Sequence, residues 1–140
     1  MVLAWGGPGQ PTMYIRGEKW MPYNPGSNLT PAFPGYISGH STFSSASATV
    51  LQLFTGSDDF GYWTLIPANF GRVEPGIPAV ETRVSFATFS EAAQQAGLSR
   101  LYGGIHFSDG NAQGRIMGRK IGAVVWSKAK AYFQGRVSGN

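Results

Sequence analysis

Glycine recurs at every fourth position of one long helical stretch, at Gly114, Gly118 and Gly122, and this constrains the chain more than any other feature. Residues four apart stand one above the other on a helix, so one stripe of the segment 110–134 carries no side chains. A bare stripe lets a partner helix approach closely. Met117, Ile121, Val124, Val125 and Tyr132 fall near one face and supply an apolar side. Arg115, Arg119 and Lys120 lie among them and argue against a membrane span.

The run Ser41 to Thr55 leads with small residues and finishes with apolar ones. It fits a buried helix whose first turns touch other helices, ended by Gly56. Pro31 and Pro34 keep the chain before it extended. Phe89 to Gly97 reads as a short helix, capped by Ser90 and stopped by Gly97. Between these helices, residues 57–88 form a loop or hairpin excursion, because Val80 to Phe86 alternates as a strand does. Residues 1–36 are rich in Gly, Pro, Asn and aromatics and are expected to be an irregular approach segment. Trp20, Tyr23, Phe33 and Tyr36 there need partners. The fold class expected is mainly α, a partial helical bundle with long irregular loops and a small β-hairpin.

The chain has 140 residues, of which 42% are hydrophobic and 13% charged, which suits one packed domain rather than a disordered chain. The absence of cysteine excludes disulfides, Cys-ligated zinc and thiol nucleophiles. The net charge of +4 is unevenly spread: residues 99–140 carry +6 and residues 1–98 carry −2. A basic final third suits an anionic ligand, although Lys128, Lys130 and Arg136 read as a solvated helix face. No nucleic-acid motif accompanies the charge. No stretch approaches the roughly 20 apolar residues of a membrane span. Asn28-Leu29-Thr30 is a chance N-glycosylation sequon, and the first ten residues lack the features of a signal peptide.

The only two histidines both stand in settings suited to an anion. Ser38-Gly39-His40 directly precedes a helix, where free N–H groups and the helix dipole attract negative charge. Gly39 allows a ligand close to the backbone, the Ser38 hydroxyl can donate to an oxyanion, and His40 can exchange a proton near neutral pH. Alone, this triplet is as well explained by an ordinary turn. The second setting is Ser99-Arg100, five residues, then His106. Arg100 offers a planar fork of donors, and His106 can serve as nucleophile or nitrogen ligand.

Together and in this order, the two settings resemble the second and third motifs of the superfamily of vanadium haloperoxidases and type 2 phosphatidic acid phosphatases (PAP2). The flanks Pro31 to Ser44 and Leu101 to Phe107 look like its bacterial haloperoxidase-like branch, and the resemblance spans roughly Trp20 to Gly122. It implies a PAP2/haloperoxidase-type bundle. It makes His106 the axial vanadate ligand, or the phosphorylated nucleophile of a phosphatase, and His40 the acid–base group opposite. Arg100, Ser38 and Gly39 would hold equatorial oxygens, and Phe33 would line the pocket.

Three departures matter. The family's first motif, a Lys followed by Arg-Pro, is absent; Arg16 and Lys19 lack the pattern and read as surface charges. The chain is therefore expected to be the C-terminal part of a longer protein. Within it, residues 37–56 hold the first site motif and residues 89–134 the second. Ile37 replaces the usual Pro. Asp109 stands one position earlier than the usual acid; it would either hold the His106 ring or cap the 110–134 helix.

The resemblance implies a vanadate-dependent peroxidase that uses hydrogen peroxide to oxidise halide and halogenates a small organic acceptor. A phosphohistidine acid phosphatase and a non-catalytic remnant are the alternatives. Homo-oligomer formation is left open. Export is common among relatives, so a secreted or periplasmic parent is the expectation.

Overall fold

The computed structural model describes residues 1–24 and 30–136, so Asn28 of the sequon lies outside them. In chain order the elements are β1 (Val2–Trp5), β2 (Thr12–Ile15), a 3-10 turn (Gly17–Lys19), α1 (Gly39–Thr55), β3 (Asp59–Ile66), β4 (Thr82–Thr88), α2 (Phe89–Tyr102) and α3 (Ser108–Phe133). Three helices thus carry the fold, with two separate antiparallel hairpins, β1–β2 and β3–β4.

The glycine stripe of α3 packs on α1. Gly110, Gly114, Gly118 and Gly122 are all buried. A Cβ on Gly114 would stand 2.8 Å from the Ser38 carbonyl oxygen, and one on Gly122 2.5 Å from that of Ala46. At Gly118 it would collide with the Thr42 carbonyl oxygen. The helices therefore meet backbone to backbone. On the α1 side, Ser41, Ser45 and Ala48 are the buried residues, which explains why small residues lead that helix. The apolar residues predicted to share a face of α3 point elsewhere: Met117, Ile121 and Val125 are about half exposed and Val124 is 70% exposed. Lys128, Lys130 and Arg136 are exposed, as expected of a solvated face.

Several boundaries differ from the sequence reading. Residues 1–36 are not wholly irregular, since β1 pairs with β2 from Val2↔Ile15 to Trp5↔Thr12. The turn between them needs positive φ at Gly7 and Gly9. Glu74 fastens this hairpin to the loop before β4, accepting from Trp5 Nε1 at 2.9 Å and from the Gly9 N–H at 2.7 Å. Helix α2 is capped by Thr88, whose hydroxyl accepts from the Glu91 N–H at 2.9 Å; Ser90 is not the cap. Nor does Gly97 end α2. It is buried within the helix, where its missing side chain makes room for Ser41 and Asn111.

Other expectations hold. Gly56 ends α1 in the left-handed conformation, φ 77°, with its N–H on the Gln52 carbonyl. The 57–88 excursion is the β3–β4 hairpin, with a bulge between Asp59 and Tyr62. Asp58 ties it to both neighbouring helices, accepting from Gln52 Nε2 and the Ser90 N–H. Arg16 is a surface charge, paired with Glu18 and 67% exposed. No helix among the described residues is long and apolar enough to cross a membrane.

Candidate active site

Two hydrogen bonds pull the distant motifs together. The Ser38 N–H donates to the Gly110 carbonyl at 3.1 Å. His106 Nδ1 lies 2.6 Å from the Gly35 carbonyl oxygen across 71 residues of sequence. A carbonyl oxygen only accepts, so Nδ1 carries the proton and Nε2 presents a lone pair. His106 is 9% exposed, and the Phe33 ring lies tilted beside it at 6.3 Å between centroids.

Asp109 takes neither role expected of it. The Gly35 carbonyl, not a carboxylate, holds the His106 ring. The N-cap of α3 is Phe107, and Asp109 lies within the first turn. The helix starts earlier than the spacing suggested, because Gly110 must already be helical to lie against Gly35 and Ser38. Asp109 favours that helix end through the dipole instead.

Ser38 is the N-cap of α1 and fully buried. Gly39 and His40 form the first turn of that helix rather than preceding it, so their N–H groups have no intrahelical acceptor. A Cβ built on Gly39 would meet nothing within 4 Å, which leaves the space over these donors open. Arg100 stands in the last turn of α2. Its Nε is buried and, among the described residues, is the one such side-chain atom without a hydrogen-bond partner. Leaving a buried donor unpaired costs about 1–3 kcal/mol, and a ligand oxygen would relieve that cost.

His40 is held below the ordinary histidine value of 6.5, first by partial desolvation and then by the charges of Arg100 and His106. Residues 60 and 66 positions downstream are therefore its electrostatic neighbours. A depressed histidine favours the folded chain while neutral, and that contribution is lost as pH falls through the folded value. The His40 ring should accordingly titrate below 6.5 by NMR, and Arg100→Ala should raise its midpoint by removing one cation. An unmoved midpoint would show that the two groups do not share a site.

The buried, unpaired Arg100 donor, the free N–H groups at the open start of α1 and the Nε2 lone pair of His106 make a donor set that suits an oxyanion. No group of three or more His, Cys, Asp or Glu among the described residues is placed to hold a bare metal ion. The donors fit a tetrahedral or trigonal oxyanion, vanadate included, better than a cation. Beside His106 opens a cleft of about 590 Å³, walled in part by Trp5, Trp20, Tyr23, Ile105 and Phe107.

Comparison with known proteins agrees. Residues 1–135 match the family model of the VCPO second helical-bundle domain. The chain belongs to that family and with it to the vanadium haloperoxidase superfamily. An apo-type bacterial vanadium-dependent chloroperoxidase superimposes with a TM-score of 0.86 at 28% identity, over 97% of this chain and 29% of that one. The holo-type structure of a bacterial vanadium-dependent chloroperoxidase gives 0.79 at 28% identity, over 90% of this chain and 26% of that one. A bacterial vanadium-dependent iodoperoxidase gives 0.58 at 32% identity, over 79% of this chain and 23% of that one. The chain thus spans less than a third of the length of these relatives. No curated protein matches it.

Sequence reasoning missed three contributors. The Gly35 carbonyl is invisible in a motif, because any residue has one. Ser41 and Asn111 form a buried pair joining α1 to α3. The bare Gly97 opposite was the one hint that something polar needed space there.

Proposed function

We propose that this chain is the C-terminal, vanadate-holding part of a vanadium-dependent haloperoxidase. The observation that carries the reading is the 2.6 Å contact of His106 Nδ1 with the Gly35 carbonyl oxygen. It fixes the tautomer and leaves Nε2 as a nitrogen ligand. Arg100, the Ser38 hydroxyl and the Gly39 N–H would hold the remaining oxygens, and His40 would exchange a proton with the bound group. The Phe33 ring lies beside His106 at the edge of the proposed site. When bound, vanadate supplies Lewis-acid activation of hydrogen peroxide toward halide, without a change of oxidation state.

The chloroperoxidase and iodoperoxidase relatives favour peroxidase over phosphatase chemistry. The partners are then hydrogen peroxide, a halide and a small organic acceptor, and the parent protein acts in a secreted or periplasmic setting. The Lys and Arg-Pro motif expected of the family is absent from this chain. Losing one preorganised oxyanion donor costs roughly 10²–10³ in rate. The 140-residue chain alone should therefore turn over weakly, and a longer protein supplying that motif should be active.

The test is bromination of an organic dye with vanadate, peroxide and bromide, run beside hydrolysis of p-nitrophenyl phosphate. Vanadate-dependent bromination in the longer protein supports the proposal. Ester hydrolysis inhibited by vanadate would replace it with the phosphatase reading. No binding of either anion would leave a non-catalytic domain.

A further inference from the structure

Behind Ser38 lies a buried polar relay whose direction decides what Ser38 can do. The Ser41 hydroxyl is 2.9 Å from Ser38 Oγ and donates to Asn111 Oδ1 at 2.7 Å. Ser38 and Ser41 are fully buried, and Asn111 is 7% exposed. Gly97 of α2 closes over the pair, since a Cβ there would collide with Asn111 Oδ1 and stand 3.0 Å from Ser41 Oγ. The three helices thus meet on these two side chains.

Each hydroxyl owns one proton, so the relay can be counted. With Asn111 Oδ1 toward Ser41, the Ser41 proton goes to the amide. The Ser38 proton must then go inward to Ser41 Oγ, and none is left for a ligand. With the amide turned by half a rotation, Nδ2 donates to Ser41, Ser41 donates to Ser38, and the Ser38 proton is free to face an oxyanion. Oxygen and nitrogen of a carboxamide have nearly the same shape, so the turn needs no repacking.

We propose that Asn111 is a positioning residue that acts through Ser41 to set whether Ser38 donates to the bound oxyanion. The role rests on the oxyanion site proposed above and adds a residue to it. Asparagine is suited to the task because its amide can present either a donor or an acceptor. An ionised aspartate can only accept, which locks the relay in the inward sense.

The experiment is a double-mutant cycle on the 140-residue chain, read by calorimetric titration with orthovanadate and, separately, inorganic phosphate. Asn111→Asp should weaken binding about tenfold or more, yet change it less than about twofold in a Ser38→Ala background. Equal weakening in both backgrounds, as plain charge repulsion or a packing defect would give, overturns the proposal. Ser41→Ala removes the relay hydroxyl without adding charge. With no inward acceptor left, Ser38 keeps its proton for the ligand. Binding should therefore stay within about threefold of wild type, and Asn111→Asp added to it should no longer weaken binding. A loss of about tenfold in Ser41→Ala alone overturns the proposal, and decides the matter if N111D does not fold. Failure of the site itself looks different: the unsubstituted chain binds neither anion, or His106→Ala binds as well as wild type. The role of Asn111 then falls with it.

Discussion

Replacing His106 by alanine should abolish vanadate binding while leaving the fold intact. The imidazole Nε2 is the nitrogen the proposed site assigns to vanadate, with the ring held in place by the Gly35 carbonyl. Outer partners of ligating groups are worth about 10–100-fold in affinity, so loss of the ligand itself should exceed about 100-fold. That corresponds to about 2.7 kcal/mol. The side chain is only 9% exposed, and its loss leaves a cavity near Phe33; some fall in thermal stability should accompany it. Circular dichroism and calorimetric titration separate the two effects. Native helicity with vanadate affinity within threefold of wild type would remove His106 from the site.

The second large effect is structural. Gly118→Ala should destabilise the chain, although alanine is the better helix former. Helix propensity alone predicts a gain of about 1 kcal/mol for this change. Against it, the added Cβ collides with the Thr42 carbonyl oxygen and stands 2.8 Å from Ser45 Cβ and 3.1 Å from the Ala46 nitrogen. Two of these three neighbours are backbone atoms, so no side-chain rotation relieves the clash and α1 must move off α3. Overpacking costs typically 1–3 kcal/mol and occasionally more. The unyielding backbone puts this case at the upper end, for a net loss of about 2 kcal/mol. A fall of roughly 5–10 °C in Tm is expected for a chain of this size. Because α1 carries Ser38 and His40, oxyanion affinity should fall as well. Gly17→Ala, where a Cβ meets nothing within 4 Å, is the control and should lie within about 0.5 kcal/mol of wild type. A Gly118→Ala variant as stable as that control would contradict backbone-to-backbone packing.

The same contrast explains what the sequence revealed. The glycine stripe was legible because its four-residue repeat is a helical period, and only contact at close range makes repeated glycine useful. The Ser-Gly-His and Ser-Arg-x5-His motifs were legible as a pair, because one order and two flanks had to agree. The β1–β2 hairpin was not, since four-residue strands joined through Gly and Pro give too few alternations to register. Gly97 misled because glycine after a short apolar run is the usual helix stop, whereas here it clears space for Asn111. Asp109 misled for a related reason. An acid near a histidine suggests a partner, but a main-chain carbonyl 71 residues away had already taken that nitrogen. Long-range backbone acceptors leave no trace in residue identity. The exposed apolar face of α3 was predicted as an apolar stripe, but pattern alone could not show that the glycine side, not the apolar side, meets α1.

A nitrogen-15 NMR titration of the chain with orthovanadate tests the central assignment most directly. The His106 Nδ1–H should persist throughout, protected by its bond to Gly35, while the Nε2 resonance moves as its lone pair is engaged. An Nε2 signal that stays in place at saturating vanadate, or a perturbation confined to Nδ1, would contradict the site.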